Sequence, residues 1–166
     1  MANGAAKCWG NGSSGEYAGA LAVSPDGTKV YVTGDSLATT GSCTCYDYAT
    51  VAYNATTGAT VWIKRYNGPA NRNDDASAVT VSPDSTKVYV TGQSIGSTGN
   101  YDYATVAYNA ATGAAGPAQR YNGPGNGDDD GTAVTVSPDS TKFYVTGQSV
   151  GSTGNFDYAT IAYSAT

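Results

Sequence analysis

With no histidine anywhere in its 166 residues, this chain keeps its capacity for chemistry in carboxylates and cysteines. Two acid-rich runs, Asn71-Arg72-Asn73-Asp74-Asp75 and Asn126-Gly127-Asp128-Asp129-Asp130, crowd hard oxygen donors onto Asn/Gly loops. A calcium ion takes ligands of that kind, so Asp74, Asp75, Asp128, Asp129 and Asp130 are the metal candidates and calcium the one cofactor to consider. The spacing is not that of an EF-hand, and the corresponding stretch near the N-terminus is Ser13-Ser14-Gly15-Glu16, so the same residues also read as solvated turns. Cys8, Cys43 and Cys45 are odd in number, which allows at most one bridge within the chain. Cys8 joined to Cys43 or Cys45 would fasten distant segments, Cys43 joined to Cys45 would make a tight ring, and free thiols are the plain alternative. Three thiolates without a histidine fall short of a closed zinc site.

Catalysis finds little to work with. Without histidine there is no Ser-His or Cys-His pair, no Gly-rich phosphate loop precedes a lysine, and the one glutamate is Glu16. An aspartate pair from the loops would be the sole acid-base candidate, but these aspartates recur as loop punctuation, so no catalytic residue is assigned and the chain is not expected to be an enzyme. Thirteen acidic against eight basic residues give a net charge of −5, which disfavours nucleic acid and anionic membranes as partners. No apolar run approaches the roughly 18 residues of a membrane span, so no membrane insertion is expected. Met1-Ala2-Asn3-Gly4 lacks the features of a secretory signal, and the acidic, lysine-poor composition leans toward an extracellular or cell-surface setting.

The elements that carry these residues repeat. Tyr46-Asp47-Tyr48-Ala49-Thr50 returns as Tyr101 to Thr105 and as Phe156 to Thr160, 55 residues apart each time. Residues 74–110 and 129–165 match except at Ala76/Gly131, Ser77/Thr132, Val88/Phe143, Ile95/Val150, Tyr101/Phe156, Val106/Ile161 and Asn109/Ser164. Within a copy, Ala78 to Val81 enters the turn Ser82-Pro83-Asp84-Ser85 and Lys87 to Thr91 returns from it, a hairpin with proline at the second turn position. A Gly/Ser loop leads to a third strand at Tyr103 to Tyr108, the turn Asn109 to Gly113 closes it, and a fourth strand ends at Gln119-Arg120-Tyr121. Four antiparallel strands per copy describe a β-propeller blade, so the fold class is all-β with three blades. The units are a closing strand at 1–12, blade 1 at 13–68, blade 2 at 69–123 and the first three strands of blade 3 at 124–166.

The phrase Val-Ser-Pro-Asp-Gly-Thr-Lys-Val-Tyr-Val-Thr-Gly at residues 23–34, with copies at 81–92 and 136–147, resembles the YVTN-type, WD40-like repeats of bacterial and archaeal surface-associated β-propellers. The Asn-Ala-Thr-Thr-Gly turn at 54–58 and Asn-Ala-Ala-Thr-Gly at 109–113 resemble the turn before that family's fourth strand. The chain departs from the motif in ending on Gly34, Gly92 and Gly147 where the family has asparagine, and in its longer repeat.

Residues present in every copy read first as blade structure. Asp47, Asp102 and Asp157 suit acceptors of backbone or hydroxyl hydrogen bonds, and Tyr53, Tyr108 and Tyr163 suit packing between blades with the hydroxyl at a wet edge. Trp9 and Trp62 read as outer-strand packing, with sugar stacking as the alternative. The last copy stops after its third strand, and Lys7-Cys8-Trp9 reads as a fourth strand that pairs along Ala159, Ile161 and Tyr163. Three blades are too few to surround a channel, so the expected partner is a second copy: a head-to-tail homodimer gives six blades, a trimer nine, and a contact that does not close gives a filament. The expected function is a non-enzymatic scaffold or interaction module assembled by strand exchange, with a lectin-like glycan- or peptide-binding propeller and an open extracellular filament as alternatives.

Overall fold

The computed structural model describes residues 15–40 and 43–165. They form eleven strands: β1 (Glu16–Val23), β2 (Lys29–Thr40), β3 (Cys43–Asn54), β4 (Thr60–Tyr66), β5 (Asp74–Val81), β6 (Lys87–Ile95), β7 (Tyr101–Asn109), β8 (Gln119–Tyr121), β9 (Asp130–Val136), β10 (Lys142–Val150) and β11 (Phe156–Ser164). These make three antiparallel meanders, β1-β2-β3-β4, β5-β6-β7-β8 and β9-β10-β11. The fold is a run of three β-propeller blades, the third with three strands among the described residues. The proposed closing strand at 1–12 lies outside them.

Local chemistry sets the hairpins. In the Ser24-Pro25-Asp26-Gly27 turn the Gly27 amide donates to the Ser24 carbonyl at 2.8 Å, the Ser24 hydroxyl donates to Asp26 Oδ1 at 2.5 Å, and the Thr28 amide donates to the same carboxylate at 2.9 Å. The turns at Ser82 and Ser137 repeat this network. At the far end of each copy Asn109 Oδ1 accepts the amides of Ala111 and Thr112, both at 3.0 Å, as Asn54 does in the first copy. An asparagine that satisfies two amides makes a turn from one side chain.

The glycine that ends each Val-Thr-Gly phrase has a reason in the first strand. Pairing shifts by one residue between Ala18 and Ala20 and between Ala76 and Ala78, a β-bulge opposite Gly34 and Gly92, and the third blade has the same irregularity beside Gly147. A Cβ at these glycines would run into the carbonyl oxygens of Tyr17, Asp75 and Asp130. Asparagine is therefore barred where the resembled motif has it.

Alternation along the strands gives each blade two apolar faces. In blade 2 the leading face, toward blade 1, presents Val88, Val90, Ala104, Val106 and Tyr108, all 2% exposed or less. They pack on Tyr31, Tyr48, Ala52 and Trp62, the trailing face of blade 1. The next junction repeats the scheme with Tyr89 and Tyr103 of blade 2 against Phe143, Val145, Ile161 and Tyr163 of blade 3. The first strands β1, β5 and β9 lie side by side along the inner edge.

Candidate functional site

The blade-to-blade junction is the recurring site of this molecule, and hydroxyl-to-carbonyl bonds define it. Tyr48 on β3 donates through its phenol to the Ala104 carbonyl at 3.0 Å, and its counterpart Tyr103 donates to the Ala159 carbonyl at 3.3 Å. Tyr31 and the Trp62 indole both donate to the Ala110 carbonyl at 3.1 Å. These rings bury large apolar areas and still give their polar atom a partner, which makes them suitable for an interface. Beneath them, Thr33 pairs with Thr50 at 3.0 Å and Thr91 with Thr105 at 2.8 Å.

An arginine on the fourth strand ties the leading face in blades 1 and 2. Arg120 donates to Asp102 at 2.9 Å, to the Ser94 hydroxyl and carbonyl at 2.6 Å each, and to the Tyr66 hydroxyl of blade 1 at 3.1 Å. In blade 1 the equivalent Arg65 bonds the Ser36 carbonyl at 3.1 Å and its hydroxyl, and lies 3.9 Å from Glu16. Asp102 therefore serves an arginine rather than the backbone or hydroxyl donor that its sequence suggested. Burial raises the Asp47 carboxyl despite Arg65 beside it, and Asp157 lies exposed on the last strand.

Two faces have nothing across them among the described residues, and they are of opposite kind. On the leading face of blade 1, Leu21, Val23, Val61 and Ile63 are 68%, 54%, 43% and 41% exposed. Register joins them into continuous rows, Leu21 beside Val32, Val32 beside Val51, and Val51 beside Ile63. On the trailing face of blade 3, Tyr158 is 87% exposed, whereas its counterparts Tyr48 and Tyr103 are 0% and 1%. Blade 1 carries a depression of about 210 Å³ lined by Val32, Gly34, Ala49, Val51 and Tyr53 and by the acids Glu16 and Asp35. The value of Tyr158 and of this depression escaped a reading of the sequence, although a tyrosine at the same place in all three copies was the available signal.

The acid-rich loops hold backbone. Asp74 Oδ2 accepts the Gly68 amide at 2.6 Å, and Asp129 accepts the amides of Gly123 and Val150 at 2.6 and 3.0 Å. Asp128 accepts the Tyr101 amide at 3.0 Å, and Asp75 accepts the Gln93 side-chain amide at 2.9 Å. Burial raises the Asp74 carboxyl to about 6 against the pull of Gly68, and raises Asp130, with Asp75 adding repulsion. Asp35, which accepts the Ala76 amide at 2.8 Å across the junction, is likewise pushed up to about 6 by burial. Among the described residues no three metal-ligating side chains converge on one point.

Cys45 is disulfide-bonded, and the side chains of Cys8 and Cys43 lie outside those described. Lys7 and Trp9 fall outside as well. Ala159, Ile161 and Tyr163 lie on β11: the Ala159 carbonyl takes the Tyr103 hydroxyl, Ile161 packs into the blade 2–blade 3 junction, and Tyr163 stacks on Phe143 at 4.9 Å. Tyr108 is 1% exposed, so its hydroxyl is not at a wet edge; Trp62 packs from the outer strand β4, 7% exposed, into the junction with blade 2.

No family model and no curated protein matches this chain. Among solved structures it is similar to hydrazine synthase of Kuenenia stuttgartiensis, with 16% identity over 75% of this chain and 35% of that one and a TM-score of 0.51. It is also similar to the β-propeller domain of the Trilobed protease from Pyrococcus furiosus, with 11% identity, 84% and 36% coverage and a TM-score of 0.47. TolB from Acinetobacter baumannii gives 19% identity, 88% and 31% coverage and a TM-score of 0.47. The chain thus spans about a third of the length of each. At such identities the likeness speaks to fold alone.

Proposed function

We propose that this chain is a non-enzymatic building block that completes a β-propeller by head-to-tail association, two copies forming a six-bladed ring. One observation carries the reading: the leading face of blade 1, with Leu21, Val23, Val61 and Ile63 exposed on it, bears half-buried Val30, Val32 and Tyr53 and buried Val51 where blade 2 has the fully buried Val88, Val90, Tyr108 and Val106, while the trailing face of blade 3 bears half-buried Tyr144 and exposed Tyr158 where blade 1 buries Tyr31 and Tyr48. A surface that fits its neighbour inside the chain fits the same neighbour on a second copy, and repeat arrays owe their stability to such nearest-neighbour contacts. Contiguous exposed apolar rows are otherwise a liability for a monomer.

Strand exchange completes the design. In blades 1 and 2 the third strand pairs onward from Tyr48 to Tyr66 and from Tyr103 to Tyr121, and β11 offers the same register at Tyr158. Residues 1–12 of the adjoining copy supply the fourth strand. The Cys45 disulfide supports a role as an extracellular or cell-surface scaffold, where such bonds persist.

Light scattering behind size exclusion over a dilution series tests the reading. The expected species has twice the 16.8 kDa chain mass and dissociates on dilution. A monomer at every concentration overturns it.

A further inference from the structure

We infer that the depression on blade 1 is a phenol-binding socket whose occupant is Tyr158 of a second copy, and that free para-substituted phenols compete for it and so regulate assembly. The inference rests on the head-to-tail reading above and assigns its energetic centre. Socket residues Val32, Gly34, Ala49, Val51 and Tyr53 correspond by repeat to Val90, Gly92, Ala104, Val106 and Tyr108. Within the chain that face already buries a phenol: Tyr48, 0% exposed, bonds the Ala104 carbonyl at 3.0 Å, comes up against Gly92 and shares one core cluster with Val90, Val106 and Tyr108.

Glycine is required for that approach as well as for the bulge: a Cβ at Gly92 would stand 2.9 Å from the Tyr48 hydroxyl. Gly34 keeps the same opening in blade 1. The Ala49 carbonyl stands where Ala104 and Ala159 accept the phenols of Tyr48 and Tyr103, so it is the acceptor for Tyr158. At about 210 Å³ the depression is smaller than the ~300–1,000 Å³ of sites for drug-sized ligands and suits a single ring. A pocket that buries one aromatic side chain at the middle of an interface is the usual form of a binding hot spot.

The test uses full-length chains and p-cresol, the tyrosine side chain as a free molecule. Tyr158 is exposed in the single chain, so Tyr158→Gly leaves each protomer folded. Sedimentation should show its self-association weakened about a hundredfold relative to wild type, with Tyr158→Phe weakened about tenfold through loss of the hydroxyl bond. Millimolar p-cresol should recover at least about tenfold of the Tyr158→Gly loss and toluene distinctly less, while p-cresol added to wild type should weaken it. If wild type associates and Tyr158→Gly associates equally well, or p-cresol leaves that variant unchanged, the socket is overturned and the head-to-tail reading survives. If wild type does not associate, both fall together.

Discussion

The aspartates divide into two electrostatic groups with opposite consequences for stability. Asp26 and Asp139 sit exposed in their turns and are lowered to about 2, chiefly by the hydroxyls of Ser24 and Ser137. Their contribution is complete above the unfolded value of 3.8 and fades only as pH falls toward 2. Asp35 and Asp74 are raised to about 6 by burial, Asp75 and Asp47 respectively adding repulsion and Arg120 offsetting part of it at Asp74. Between about pH 4 and 6 the folded chain therefore binds more protons than the unfolded one, so stability falls as pH rises through that window. Thermal melts should give a higher midpoint near pH 4.5 than at pH 7, a difference of about 1–3 kcal/mol after solvent screening, and Asp35→Asn should flatten part of the slope. A flat or rising profile would refute the assignment. Backbone conformation gives a second residue-scale prediction. Ser140 holds φ at 58° where the first copy has Gly27 at 68°. A left-handed serine costs about 1–2 kcal/mol, and glycine returns part of that gain through unfolded-chain entropy, so Ser140→Gly should stabilise by about 0.5–1 kcal/mol in urea titration.

At the scale of the strand, the bulge opposite Gly34, Gly92 and Gly147 is the device that fixes how first and second strands meet. Because the Asp75 carbonyl occupies the space of a Gly92 side chain, Gly92→Ala must straighten the bulge or push β5 off β6 in the middle of the molecule. A loss of about 3 kcal/mol or more in denaturant midpoint is expected, against about 0.5 kcal/mol for Gly99→Ala in the open Gly/Ser loop, where the left-handed φ is the main cost. The strands themselves were legible because Val-Thr-Val and Val-Tyr-Val flank a proline turn, and the third and fourth strands because asparagine and glycine punctuate them. The bulge was not, since a glycine in a strand signals close approach without naming what approaches. Side-chain partners were also hidden: Asp102 gave no sign of Arg120, 18 residues on in the next strand, and the Tyr108 hydroxyl gave none of its burial. Pro117 lacks an amide, and β8 accordingly shortens to Gln119–Tyr121 beside the seven residues of β4.

Over the whole molecule, the repeat makes the two open faces predictable from the closed ones, because every junction is the same surface pair used again. Such a contact is heterologous: a leading face meets a trailing face, never its own kind. Direction can therefore be read from a mixing experiment. Leu21→Asp spoils only the leading face, at a side chain 68% exposed in the single chain, and Thr160→Arg spoils only the trailing face, at an exposed position whose counterparts Thr50 and Thr105 are 0% and 2% exposed. Each variant alone should stay at one chain mass, because burying an unpaired charge in the junction costs several kcal/mol, about a hundredfold or more in affinity. Mixed in equal amounts they should form a discrete dimer through the one junction left intact, an open arc of six blades that adds no third chain at any concentration. Dimers of either variant alone would mean that a face pairs with its own copy, and a mixture that stays monomeric while wild type associates would place the contact on some other surface.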